Sequence, residues 1–274
     1  MGASCLSDQA IDDFDYNSSS AGNPHAALRG GAEAHALYLD LMKRCLLNLI
    51  YSEQEQKLKP FDEQQRIEGR EWPALAQTMI GWKRLENLQT CVEDILKRGT
   101  PGDLIETGIW RGGALIFMRA VLKAHGVRDR LVWGADSFQG LPPPDAKRYP
   151  ADAGDLTYTF RELAVSLDEV RANFERYGLL DEQVRFLPGW FRETLPSAPI
   201  EELSLIRLDG DMYESTYVAL ESLYPKLSRG GYLIVDDYGA VPACRSAVQD
   251  FRRLHGVTEE IIRIDWTGIY WQRG

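Results

Sequence analysis

Two short acidic runs carry the clearest chemical signal in the sequence. Asp209-Gly210-Asp211 follows an apolar run at Leu203, Leu205, Ile206 and Leu208, and Asp236-Asp237 follows Tyr232–Val235. Each apolar run reads as a strand buried in a sheet, and ligands of open α/β sheets bind beyond the carboxyl ends of such strands. Four carboxylates gathered on one edge repel one another unless a positive charge lies between them. A hard divalent cation such as Mg2+ takes oxygen ligands, a few from carboxylates and the rest from water or substrate. Asp209, Asp236 and Asp237 are the expected ligands. Asp211 stands where the chain is already turning, off the ion, and is placed to act as a general base. Either acidic pair alone reads as well as a turn or a cap. Both together, at strand ends of one sheet, favour the ion.

A second signal lies upstream. The strand-like Asp103–Thr107 runs into Gly108-Ile109-Trp110-Arg111-Gly112-Gly113 and then a helix from Ala114. Glycines let a ligand approach the backbone, and a helix N-terminus offers free N–H groups. The spacing is not G-x-G-x-x-G, and a tight turn without a ligand explains this stretch equally well. The next strand, Leu131–Ala135, ends at Asp136, whose carboxylate can accept both hydroxyls of a ribose. Glu106 and Asp136 at successive strand ends together point to a nucleoside ligand.

The elements that must position these residues alternate. Strands are expected at 103–107, 131–135, 184–187, 203–208 and 232–235. Helices are expected at 114–125, 161–177, 217–227 and 244–254, with Gly230-Gly231 as the stop of the third. That order predicts a mostly parallel sheet with right-handed crossovers. Ile261–Ile264 and Ile269–Trp271 predict a closing antiparallel hairpin. Residues 140–159, with four prolines, read as a long functional loop. Upstream, Glu33–Tyr51 reads as an amphipathic helix with Leu37, Leu41, Leu46, Leu49 and Ile50 on its apolar side. Ser52–Arg70 reads as a solvated helix or a disordered link, and Ala74–Lys97 as a helical region interrupted near Gly81. Met1–Gly31, rich in Asp, Ser, Asn and Gly, reads as a mobile segment, with a flap over a substrate as the alternative. The expected organisation is therefore a flexible segment at 1–31, a helical extension or lid at 32–73, and an α/β domain at 74–274.

Composition narrows the field of functions. The chain has 274 residues, 44% hydrophobic and 26% charged, with a formal net charge of −10. An acidic chain does not suit a phosphate backbone, so no nucleic-acid partner is expected. The four cysteines, Cys5, Cys45, Cys91 and Cys244, form no C-x-x-C pair and read as free thiols. No signal peptide and no run long enough to span a bilayer are present, which predicts a cytoplasmic protein without a membrane partner.

Several longer segments add a resemblance. IETGIWRGGA, ADSFQGLPPPD, LPGWFRETLP, RLDGDMYEST and YLIVDDYG, together with TMIGWKRLENL, CRSAVQDFR and the early LYLDLMKRCLLNLIY, resemble the macrocin O-methyltransferase family from about Leu37 onward. These are S-adenosylmethionine-dependent, metal-dependent sugar O-methyltransferases of antibiotic biosynthesis. The resemblance implies a Rossmann-like class I methyltransferase fold and a small-molecule glycoside as substrate, with a homo-oligomer open. It implies that Thr78 and Met79 line the methionine or sulfonium region of the cofactor. Glu106, Thr107, Gly108, Arg111, Gly112 and Gly113 would form the turn under its methionine end, and Asp136 and Ser137 would hold the ribose. Gly189, Trp190 and Phe191 would flank the adenine, and Asp209 would face both cofactor and metal. It implies Mg2+ on Asp209, Asp236 and Asp237, and Asp211 as the base. Three other readings are a methyltransferase for a catechol-like aromatic diol, a nicotinamide-dependent dehydrogenase, and a nucleotide-binding protein without activity.

Overall fold

The computed structural model describes residues 24–274, with side chains from Glu33 onward. Residues 1–23 of the expected mobile segment, and with them Cys5, lie outside the described residues.

Seven strands form one sheet: β1 (Asp103–Thr107), β2 (Val132–Asp136), β3 (Val184–Pro188), β4 (Leu203–Leu208), β5 (Leu227–Val235), β6 (Ile262–Arg263) and β7 (Ile269–Gln272). Their order is β3-β2-β1-β4-β5-β7-β6. The first five are parallel, and β7 pairs antiparallel with both β5 and β6, as the closing hairpin requires. The chain builds outward from β1 through β2 and β3, then restarts on the other side with β4. The switch therefore falls between β1 and β4, where such sheets open a crevice for ligands.

Alternation along the strands supplies two cores. Leu104 and Leu205 face one, with Leu88 of α4 (Gly81–Arg98), Phe117 of α5 (Gly113–Ala124) and Phe174 of α6 (Leu167–Arg176). Ile105 and Ile206 face the other, with Leu220 of α8 (Tyr213–Leu223), Phe251 of α9 (Pro242–His255) and Trp271. A short helix, α7 (Phe191–Thr194), follows β3.

Several boundaries differ from the sequence expectation. The first helix, α1, runs from Pro24 to Leu46, so it takes in residues 24–31 and stops before Tyr51. Its buried side is Leu39, Met42 and Leu46, whereas Leu37 and Leu41 are exposed. The apolar spacing of that stretch fits two faces, and packing on α5 selects the one with Leu39. Gly230-Gly231 lies inside β5 and does not stop a helix; α8 starts at Tyr213 and ends at Leu223. Gly231 is needed there because a Cβ would lie 2.7 Å from the Ser204 carbonyl of the neighbouring strand. The helix expected from Arg161 begins only at Leu167, capped by Ser166, whose hydroxyl accepts from Glu169 N–H at 3.2 Å.

The polar stretch after Ser52 is ordered. It forms α2 (Ser52–Leu58) and α3 (Glu63–Glu68), joined by a buried ion pair. Arg66 Nη2 donates to Glu55 Oε1 at 3.2 Å, and the two side chains are 1% and 0% exposed. The other Arg66 contacts are the Leu47 carbonyl, at 2.7 Å, and Glu71. Glu55 in turn accepts from the N–H groups of Ala74 and Leu75. A segment that reads as soluble by composition is thus fixed by charge pairing.

Candidate functional site

At the switch between β1 and β4 the strand ends cross closely. Gly108 has φ +78, and a Cβ there would fall 1.6 Å from the Asp209 carbonyl oxygen. Only glycine lets the turn after β1 pass under the end of β4. Asp209 N–H donates to the Thr107 carbonyl, and Asp236 N–H to the Leu208 carbonyl, both at 2.9 Å. The ladder therefore carries on past the strands and sets Asp209 and Asp236 side by side.

The predicted acidic residues come together. Asp209, Asp236 and Asp237 each offer an oxygen, and these oxygens lie within 4.8 Å of one another. Asp211 adopts φ 55, an uncommon left-handed conformation that aspartate tolerates, and its N–H donates to Asp237 Oδ2 at 3.2 Å. All four line a cavity of about 310 Å³. Thr78, Met79, Glu106, Gly108, Asp136, Ser137, Gly189, Trp190 and Phe191 line the same cavity.

Four predicted residues do not line it. Thr107 is buried in the sheet, with its hydroxyl unpartnered. Gly112 caps α5 with φ 85, packed on Val170 and Phe174. Gly113 donates to the Gln77 carbonyl at 3.0 Å, and a Cβ there would clash with it at 2.5 Å. Arg111 stacks over Trp110 and donates to the Ala76 and Pro73 carbonyls at 2.9 and 3.3 Å. Gly113 and Arg111 hold the segment 73–78 against the turn, and so position Thr78 and Met79 from behind. Asp136 also does local work: Oδ2 accepts from Ile109 N–H at 2.9 Å and Oδ1 from Phe138 N–H at 2.7 Å.

Two arginines were missed. Arg207, 1% exposed, sits within β4 under the acidic cluster. Its Nη1 donates to Glu106 Oε1 at 2.5 Å and to Asp209 Oδ2 at 2.9 Å, while Nη2 meets Asp236. Arg84, from α4, meets the other Asp236 oxygen, Asp265 at 3.0 Å and the Gly69 carbonyl at 3.0 Å. A signal for Arg207 was present: an arginine inside a buried apolar run must be paired.

Two guanidiniums do not neutralise this cavity. Burial, then repulsion from Asp236, raises Asp209 to about 6 against the pull of Arg207. Burial, with Asp209 and Asp236 nearby, raises Asp211 to about 7. Asp237 is held well above the ordinary carboxylate value by burial and by the charges of Asp211 and Asp209. Glu106 rises to about 8, chiefly through burial, and its Oε2 has no partner. Clustered carboxylates with unmet negative charge fit a hard divalent cation. A cavity of this size, lined by an orphaned carboxylate oxygen and by Asp136 and Ser137, fits a ligand with polar groups at several points.

The family model described as macrocin-O-methyltransferase (TylF) matches residues 53–273. The chain is 55% identical over 245 residues to the 8-demethyl-8-(2,3-dimethoxy-alpha-L-rhamnosyl)-tetracenomycin-C 4'-O-methyltransferase of Streptomyces olivaceus, covering 88% of this chain and 94% of that one. It is 53% identical to the demethyldecarbamoylnovobiocin O-methyltransferase of Streptomyces niveus, covering 87% and 94%. Among solved structures, that of the O-methyltransferase NovP aligns with a TM-score of 0.84 at 54% identity, covering 87% of this chain and 99% of that one. The calicheamicin methyltransferase CalS11 shares the fold at a TM-score of 0.56, 18% identity and coverage of 97% and 100%.

Proposed function

Since the chain belongs to the macrocin O-methyltransferase family, we propose that it moves a methyl group from S-adenosylmethionine to a sugar hydroxyl of a glycosylated natural product, with the aid of Mg2+. The observation that carries this reading is the gathering of Asp209, Asp236 and Asp237 within 4.8 Å at the edge of the cavity that Glu106 and Asp136 also line. The named activities of the relatives support the glycoside. Family membership removes the nicotinamide dehydrogenase reading.

S-adenosylmethionine, when bound, supplies an electrophilic methyl on a sulfonium, and Mg2+ a Lewis-acid hold on neighbouring oxygens. The rest falls to this chain. Asp209, Asp236 and Asp237 would hold the ion, and Arg207 and Arg84 keep two of those carboxylates aimed before it arrives. Glu106, Asp136 and Ser137 would bind the donor along the β1 and β2 ends, with Thr78 and Met79 across from them. Asp211 would accept the proton that the acceptor hydroxyl loses. Burial and neighbouring carboxylates raise it to about 7 in the ion-free cluster, and a cation beside it would draw that value down, leaving an ionised carboxylate to take the proton.

The fold also provides the means to exclude water. Asp152, 1% exposed, accepts from Tyr213 N–H at 2.6 Å and Glu214 N–H at 3.0 Å, which ties the loop after β2 to the start of α8. Trp110 Nε1 donates to the Glu162 carbonyl at 2.8 Å, and Trp72 meets Phe160 edge to face at 5.4 Å. Loop and N-terminal extension thus meet beside the cavity.

Incubation with S-adenosylmethionine and desmethyl glycosides, demethyldecarbamoylnovobiocin among them, should yield products heavier by one methyl group in mass spectrometry. EDTA should abolish turnover, and added Mg2+ should restore it. Full turnover in thoroughly chelated protein would rule out the ion, and faster methylation of catechols than of any glycoside would rule out the sugar.

A further inference from the structure

Glu214 is 6% exposed, lines the cavity and belongs to none of the roles assigned so far. It stands in the first turn of α8, which packs on α7. Its Oε1 accepts from Arg192 Nη1 at 3.3 Å, and its Oε2 is enclosed without a partner. A buried carboxylate oxygen with no donor is costly, and a ligand that supplies one removes the cost. Arg192 is half exposed, also lines the cavity and keeps further N–H donors free of Glu214.

The surroundings say what kind of ligand. Phe191 precedes Arg192 and lies against the β4 end: a Cβ on Gly210 would be 3.5 Å from Phe191 Cε2 and 3.0 Å from Ser215 Cβ. The result is a wall with an aromatic ring in it, in the same cavity that the paired acceptor and donor line. A wall of this kind suits a flat heterocycle. A carboxylate alone would suit a base edge with two adjacent donors. A carboxylate beside a guanidinium suits an edge with an amino group next to a ring-nitrogen acceptor, which is the edge of adenine.

We infer that Glu214 and Arg192 read the base of the methyl donor, Glu214 accepting from the exocyclic amino group and Arg192 donating to a ring nitrogen. The inference rests on S-adenosylmethionine being the donor. It makes both side chains specificity determinants for an amino-purine over an oxo-purine. Replacing the amino group by a carbonyl would set an acceptor against the carboxylate and a ring N–H against the guanidinium.

Calorimetry on the full chain can test this with S-adenosylhomocysteine and its deaminated counterpart, S-inosylhomocysteine. The unaltered protein should bind the adenosyl compound at least about tenfold more tightly, because the mismatch leaves buried polar groups unpaired. Glu214→Gln keeps the shape and presents an amide that donates as well as accepts, so it should bring the two affinities within about threefold. Arg192→Met, at a half-exposed position that leaves the core intact, should also reduce the preference and carries the test if the first variant does not fold. Equal affinities in the unaltered protein overturn the inference. So does an undiminished preference in both variants, the result expected if Glu214 met the acceptor sugar instead. Failure of the unaltered protein to bind S-adenosylhomocysteine at all would overturn the proposed donor, and is separable from either of those results.

Discussion

Arg66 and Arg207 are both almost wholly buried and both bonded to carboxylates, yet their surroundings are of opposite character. Around Arg66 the charges are matched: Arg66 and Lys59 face Glu55 and Glu71. Burial pushes Glu55 up, but the N–H groups of Leu75 and Ala74, Arg66 and Asn48 outweigh it, and its carboxyl lies below the ordinary value. Around Arg207 the charges are unmatched. Glu106, Asp209 and Asp236 share its one guanidinium, Asp211 and Asp237 stand close by, and the carboxyls of Glu106, Asp209, Asp211 and Asp237 are raised. A balanced buried network serves to pin chain segments. An unbalanced one is unfavourable on its own, and the proposed cation would offset that cost.

Four measurements would break or sharpen this contrast. Asp211→Asn should lower turnover by about 10²–10⁴-fold while S-adenosylhomocysteine still binds by calorimetry; near-normal turnover would show that the base lies elsewhere. Glu55→Ala should cost about 2–4 kcal/mol in urea unfolding, because it takes one of two carboxylates from buried Arg66 and the acceptor from the Ala74 and Leu75 N–H groups; a cost under 1 kcal/mol would mean that the Arg66 network pins nothing. Asp237→Asn should do the reverse in metal-free protein, raising stability by on the order of 1 kcal/mol through relief of like-charge repulsion, and should weaken Mn2+ binding followed by electron paramagnetic resonance. Loss of stability in that variant would erase the difference between the two clusters. The smallest effect concerns pH. Because the Glu55 carboxyl is depressed on folding, its contribution is complete above the unfolded value of roughly 4 and disappears as pH falls through the folded value. Glu55→Gln should therefore flatten the acid limb of the stability profile below about pH 4, and an unchanged limb would assign that titration to other carboxyls.

How much of this was legible in the sequence depends on the range of the interaction involved. Asp-Gly-Asp after one apolar run and Asp-Asp after another are local patterns, and the sheet brings them together as expected. The strands before Gly108 and Asp136 and the closing hairpin follow from local alternation in the same way. Arg207 was hidden by the very run that revealed its strand, since reading LSLIRL for its apolar residues passes over the one that is charged. Arg84 and the Glu55–Arg66 pair depend on contacts between residues far apart in sequence, which composition cannot register. Gly230-Gly231 resembles a helix stop until the neighbouring strand is known to press against it. Glu214 gave no signal, because one glutamate in an amphipathic helix is ordinary until its oxygen proves to be enclosed.

The missing Cβ of Gly108 has a consequence for how the site behaves as a unit. With the Asp209 carbonyl occupying that space, the two halves of the sheet are locked at one seam, and neither can slide without the other. If donor and ion bind as proposed, the registration between them is set when the chain folds. Ligand binding inherits that alignment, and an alanine at this one position would shift both ends of the reaction at once.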